Sequence, residues 1–156
     1  MGLMTEPVSE NLIDRYLRAR GRRYFRGQHD GEYFFLANAG PRRLHVHLEI
    51  CRVHPDVFTL RVTPACFFPV ADRARLTQFA KTWNRRNSAV SAIVHESSDP
   101  QRIGVIASKS QSIGGLVRFD DFAGFVDRTL AAAIDLFGAL TPVPEAASMP
   151  LLRDAC

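Results

Sequence analysis

The chain lacks the residues and runs that mark several large protein classes. It has only three cysteines, Cys51, Cys66 and Cys156. They share no short ligand spacing, and an odd number leaves one unpaired, which excludes a disulfide framework. Reduced thiols in a cytoplasmic setting are therefore expected. No apolar run approaches the roughly 18 residues of a membrane span. The longest candidate, 129–140, is interrupted by Asp135. Residues 1–9 lack the basic-then-apolar pattern of a cleaved secretion signal, so none is expected. Lysine is scarce, since 18 of the 20 basic residues are arginine. With abundant alanine, that bias fits GC-rich bacterial coding as well as selection for function. The net charge of +4 is then weak ground for a nucleic-acid role.

What is present describes an ordinary folded domain. A length of 156 residues suits one domain, which commonly holds roughly 100–200 residues. Hydrophobic residues make up 46% of the chain and 11 are Phe, enough to fill a core without a metal or disulfide. No internal repeat or linker divides it. The expected organisation is one α+β domain over residues 1–140, followed by a proline-containing tail over 141–156.

Periodicity places the elements. Residues 1–8 read as a loose lead-in. Ser9 caps a first helix over about residues 9–20, where Leu12, Ile13, Tyr16 and Leu17 recur at helical spacing. Gly21 stops it. A short extended piece around Tyr24 and Phe25 precedes the turn at Asp30 and Gly31, and a strand follows over 32–37. After a turn at 38–41, Leu44, Val46, Leu48 and Ile50 alternate with His45, His47, Glu49 and Cys51, strict period two over eight residues. Phe58, Leu60 and Val62 alternate with Thr59, Arg61 and Thr63 after a short turn, so this strand pairs antiparallel with the previous one. Both have one apolar and one polar face, as in a sheet covered on one side only.

Asp72 is expected to cap a second helix bearing Leu76, Phe79, Ala80 and Trp83 on one face. Strands over 90–96 and 102–110 follow, joined by a turn at 97–100. Asp120 is expected to cap a last helix with an apolar stripe from Phe122 to Phe137, stopped by Gly138. Strands running between helices indicate α+β, with an antiparallel sheet and flanking helices, rather than a parallel βαβ sheet.

Three chemistries deserve weighing. His45, His47, Glu49 and Cys51 share one strand face and invite a metal reading. The opposing strand offers only Thr59, Arg61 and Thr63, and the Arg61 cation opposes a metal. This face reads better as a partner-contact surface centred on His45, His47, Thr59 and Arg61. No metal or cofactor is assigned. Replacing both histidines with Gln is then expected to leave stability within about 0.5 kcal/mol, as at ordinary surface sites. Arg15, Arg18, Arg20, Arg22, Arg23 and Arg26 form the only basic cluster. Nucleic-acid binding would need them in one stripe facing phosphates. Nucleophile elbows and phosphate loops are missing; Ile113-Gly114-Gly115 is too short and wrongly placed.

The pattern resembles the YbjN-like family of bacterial proteins, whose fold is similar to that of type III secretion chaperones. The resemblance spans about residues 9–139. It rests on the helix ending at Gly21, the Asp30-Gly31 turn, the strands over 44–50 and 58–62, and the stretch Trp83-Asn84-Arg85-Arg86-Asn87. It implies the order α-β-β-β-α-β-β-α and a non-enzymatic protein linked to regulation, stress or protein handling, with homodimers among its states. It brings no catalytic residues. The basic composition departs from the acidic one usual among secretion chaperones, which argues against an identical client mode. The leading expectation is a protein-binding adaptor or chaperone-like regulator whose partner is another protein or a second copy. The alternative is a nucleic-acid-binding regulator using the arginine cluster. A metal-dependent enzyme centred on His45 and His47 ranks third.

Overall fold

The computed structural model describes residues 4–39 and 42–140. In chain order the elements are β1 (Glu6–Pro7), α1 (Glu10–Ala19), β2 (Tyr24–Arg26), β3 (Glu32–Ala39), β4 (Arg42–Ile50), β5 (Val57–Pro64), β6 (Phe68–Pro69), α2 (Arg73–Arg86), β7 (Ser91–Glu96), β8 (Arg102–Ser112), β9 (Leu116–Val117) and α3 (Phe119–Leu140). The longer elements keep the expected α-β-β-β-α-β-β-α order. The short strands β1 and β9 pair with each other, so residues 6–7 are not a loose lead-in.

Seven strands form one antiparallel sheet: β2-β3-β4-β5-β8 run in that order, and β6 and β7 both pair with β8. β8 is its widest member. Residues 107–112 pair with β5, residues 103–108 pair with β7 on the opposite edge, and β6 pairs at residues 102–103. β7, by contrast, is an edge strand.

α1 forms as its termini dictate. The Leu12 amide donates to the Ser9 side chain at 3.4 Å, and Glu10 lies in the positive first turn. At the other end Gly21 takes φ +65°. The Gly21 amide reaches the Arg18 carbonyl and the Arg22 amide reaches the Leu17 carbonyl, the paired bonds of a Schellman stop. Leu12, Ile13, Tyr16 and Leu17 are fully buried.

The inner face of the sheet carries Tyr33, Phe35, Leu44, Val46, Leu48, Phe58, Leu60, Val62, Val105 and Ala107. These merge with the apolar stripes of all three helices into one core. Phe58 meets Phe122 edge-on at 5.3 Å between ring centroids, and burying such a ring contributes about 1.5–3 kcal/mol. The one buried acid of α1, Asp14, accepts from the Tyr24 hydroxyl and the Arg26 guanidinium, both at 2.8 Å. This bond pair moors β2 to the helix and satisfies a charge that burial alone would penalise.

The Trp83–Asn87 stretch has a structural task. The Trp83 indole donates to the Val90 carbonyl at 3.0 Å. The Asn84 amide donates to the Ala92 carbonyl at 3.0 Å and accepts from the Ala92 amide at 2.7 Å. One side chain thus imitates the paired bonds of a neighbouring strand and closes part of the open edge of β7.

Several expectations need correction. Asp72 precedes α2 but makes no capping bond; a 3-10 turn at Val70–Asp72 leads into the helix, and Asp72 accepts from Arg75 instead. α3 starts at Phe119, so Asp120 and Asp121 lie inside its first turn rather than at the cap. Gly138 does not stop the helix, because Leu140 beyond it is buried in the core and the backbone continues to reach it. Cys51 is a free thiol, but Cys66 is disulfide-bonded, so reduced thiols throughout do not hold. The expected turn at 38–41 shortens, because Asn38 and Ala39 remain in β3 paired with Arg43 and Arg42. Gly40 and Pro41 lie outside the described residues. So does the tail over 141–156, including Leu151 and Leu152.

Candidate functional site

All three helices contribute to the one core on the inner face, so among the described residues no helix covers the other face of the sheet. Register decides what stands there. β4 and β5 align His45 with Thr63, His47 with Arg61 and Glu49 with Thr59. His45, His47, Thr59 and Arg61 therefore all lie on one face of the sheet. On the other flank, β3 sets Glu32 beside Glu49, Phe34 beside His47 and Leu36 beside His45. Phe25 of β2 lies beside Phe34.

Two of the four expected residues are drawn into a network. The His47 Nε2–H donates to Glu32 Oε2 at 2.9 Å. Arg61 Nη2 donates to His47 Nδ1 at 3.3 Å and to Glu49 Oε1 at 3.1 Å. The His47 ring also stacks on Phe34 at 4.6 Å. The other two stand apart. Thr59 exchanges a hydroxyl bond with Ser110 at 3.0 Å. His45 is exposed and lines a cavity with Thr63, Phe67, His95 and Ile106.

His47 departs from expectation. Its side chain is only 16% exposed and has partners on both ring nitrogens. It is a half-buried, fully bonded group, so equal treatment of His45 and His47 as plain surface residues fails.

The sequence reading missed His29 and Glu32. His29 follows the end of β2, at the turn into β3, and its Nδ1 lies 2.8 Å from the Asp30 carbonyl oxygen. Its Nε2 lies 2.8 Å from Glu49 Oε2 and 3.8 Å from Glu32 Oε1. The Glu49 hydrogen bond, then the Asp30 carbonyl, raise the His29 pKa above its ordinary value. Glu32 is pushed up by burial, but the bonds from His47 and the Gln28 amide outweigh that and hold it below the usual carboxylate range. The signal for Glu32 was the short β3–β4 connection. Counting back from 40–41 places Glu32 opposite Glu49.

Apolar groups flank the network. Phe25 is 69% exposed, Leu36 50% and Phe34 40%. Direct pairing joins Phe25 to Phe34, and Leu36 follows two residues along the same face, roughly 7 Å away. A cavity of about 480 Å³ opens beside them, lined by Arg20, Gly21, Arg22, Arg23, Phe25 and Leu36.

The arginine cluster is mostly engaged inside the molecule. Arg15 pairs with Glu6, Arg20 with Asp127, and Arg26 with Asp14 and Glu10. Arg22 lies over the Phe35 ring at 4.6 Å.

No family model and no curated protein matches the chain. Among solved structures it is similar to the crystal structure of YbjN, a putative transcription regulator from E. coli. The TM-score is 0.66, over 83% of this chain and 88% of that chain, at 13% sequence identity. The fold is YbjN-like. Among the described residues, no helix is long and apolar enough to cross a membrane.

Proposed function

We propose that this YbjN-like chain is a non-enzymatic protein-binding adaptor that receives its partner on the uncovered sheet face. The observation that carries this reading is the contiguous group Phe25, Phe34 and Leu36, exposed beside a half-buried polar network. Exposed aromatic and aliphatic side chains rimmed by polar groups mark contact surfaces. The adjoining cavity adds Arg23 at its rim, so the fitting partner is an apolar segment carrying acidic residues. A second copy of the chain would use the same apolar group.

The nucleic-acid alternative draws less support. Four of its six arginines hold carboxylate or aromatic partners within the molecule. Arg18 and Arg23 alone do not make a stripe that neutralises a run of phosphates. The similar protein is described as a transcription regulator; for this chain, such a role would run through a protein contact.

The test is a paired capture experiment with wild type and a Phe34→Lys, Leu36→Lys variant. Both positions are exposed, so the variant is expected to fold. A protein retained by wild type is expected to fall at least about thirtyfold in affinity, the scale of a contact hot spot. Light scattering on both forms separates a foreign partner from self-association. Equal recovery and equal mass for the two forms would refute the reading.

A further inference from the structure

The His29 ring poses a problem of valence. Its Nδ1 faces the Asp30 carbonyl oxygen at 2.8 Å, and a carbonyl only accepts, so Nδ1 carries the hydrogen. Its Nε2 faces a carboxylate oxygen of Glu49, also at 2.8 Å. In the neutral ring, that nitrogen then holds a lone pair and points it at an acceptor. Either a second proton on the ring or a cation held by both groups resolves the conflict. His47 has no such conflict, since a single tautomer satisfies both Arg61 and Glu32.

We infer that His29, Glu32 and Glu49 form a binding site for a first-row divalent cation of the zinc class. One ligand atom from each lies within 4.8 Å of the others. A tetrahedral ion with bonds of about 2.0–2.2 Å holds its ligand atoms roughly 3.3–3.5 Å apart. The observed separations from His29 Nε2, 2.8 Å to Glu49 and 3.8 Å to Glu32, lie on either side of that span. Binding would require shifts of about half an ångström, outward at Glu49 and inward at Glu32. One imidazole and two carboxylates are a donor set that such ions accept.

The surroundings have the character of an outer ligand shell. A metal-bound histidine usually donates its other N–H to a carbonyl, and His29 does so to Asp30. The Gln28 amide donates to Glu32 Oε1 at 2.9 Å, and His47 donates to Glu32 Oε2. Arg61 engages Glu49 through Oε1 and leaves Oε2 for the ion. Arg61 lowers the affinity by its charge but does not cancel two carboxylates. The three side chains are only 15–20% exposed, enough for water to supply a fourth ligand. This site differs from the His45 and His47 pair that the sequence suggests, because His45 takes no part. It stands independently of the partner reading above.

The test uses the full chain, stripped with EDTA and titrated with Zn²⁺ by calorimetry. A parallel Co²⁺ titration reads the visible bands of a low-coordinate ion. The expected result is about one ion per chain, with a dissociation constant below about 10 µM. His29→Asn and Glu49→Gln keep shape and are each expected to weaken binding about 10–100-fold or more. His45→Gln is the control and is expected to change nothing. Circular dichroism establishes that each variant is folded. No Zn²⁺ uptake by the wild-type chain would overturn the inference and leave a proton between His29 and Glu49. So would uptake that folded His29→Asn retains, or that His45→Gln abolishes.

Discussion

Replacing Asn84 with Ala removes a clasp between α2 and the edge of the sheet while leaving the core untouched. The lost contacts are the two bonds to the Ala92 backbone, at 2.7 and 3.0 Å. Each is worth about 0.5–1.5 kcal/mol net, so the pair represents about 1–3 kcal/mol. Alanine returns about 0.5 kcal/mol through its better helix propensity. The expected loss is thus about 0.5–2.5 kcal/mol, read as a lower urea midpoint with unchanged slope. In a chain of this size that corresponds to a fall in Tm of about 1–10 °C. A local readout accompanies the global one. The Ala92 amide loses its partner and is expected to exchange with deuterium faster than amides of β8. Asn87→Ala, which removes a contact to the Trp83 carbonyl at an exposed helix end, is expected to stay within about 0.5 kcal/mol. A neutral Asn84→Ala with unchanged Ala92 exchange would refute the reasoning and make the Asn84 contact incidental.

Two further outcomes follow from the geometry. Burial pushes the Asp127 carboxyl up, but the bonds from Arg20 and Tyr16 outweigh it and hold it below its ordinary value. The group binds fewer protons folded than unfolded near that value, so its stabilisation is present above about pH 4 and is lost as pH falls through the depressed folded pKa. Stability measured from pH 7 to pH 2 is expected to fall less steeply in Asp127→Asn than in wild type; parallel curves would contradict this. For the two histidines, His45→Gln is expected to stay within about 0.5 kcal/mol. His47→Gln, which loses its stack on Phe34 and its bonds to Glu32 and Arg61, is expected to cost about 1 kcal/mol. Equal values in chemical denaturation would restore the view of both as plain surface groups.

Local rules were legible wherever one residue carried its own explanation. Ser9 and Gly21 bound α1 because a hydroxyl cap and a left-handed stop act on their immediate neighbours. Alternation over 44–51 and 58–63 revealed two faces because a strand reports burial every second residue. The failures share a different cause. Gly138 is a good stop in isolation, but burial of Leu140 carries α3 past it. Asp120 has the chemistry of a cap, yet the helix begins one residue earlier. The His29, Glu32 and Glu49 cluster joins residues up to 20 positions apart and exists only through the register of β3 on β4. Nothing in the composition separates Phe25, Phe34 and Leu36 from core residues, and only the sidedness of the sheet brings them into the open. A pattern along the chain shows which face a residue takes; it does not show which faces the fold leaves uncovered.

The central place of β8 also governs how the molecule can assemble. β3, β4 and β5 are a meander of near neighbours that can pair as soon as residue 64 has emerged from synthesis. Their next partner, β8, comes about fifty residues later along the chain, so its docking closes a long loop and is slow by comparison. Until it arrives, the edge of β5 displays a row of unpaired backbone groups, the template on which one unfinished chain can join another. β8 is thus both keystone and gatekeeper: substitutions that delay its docking should lower the yield of soluble protein more than the stability of what does fold.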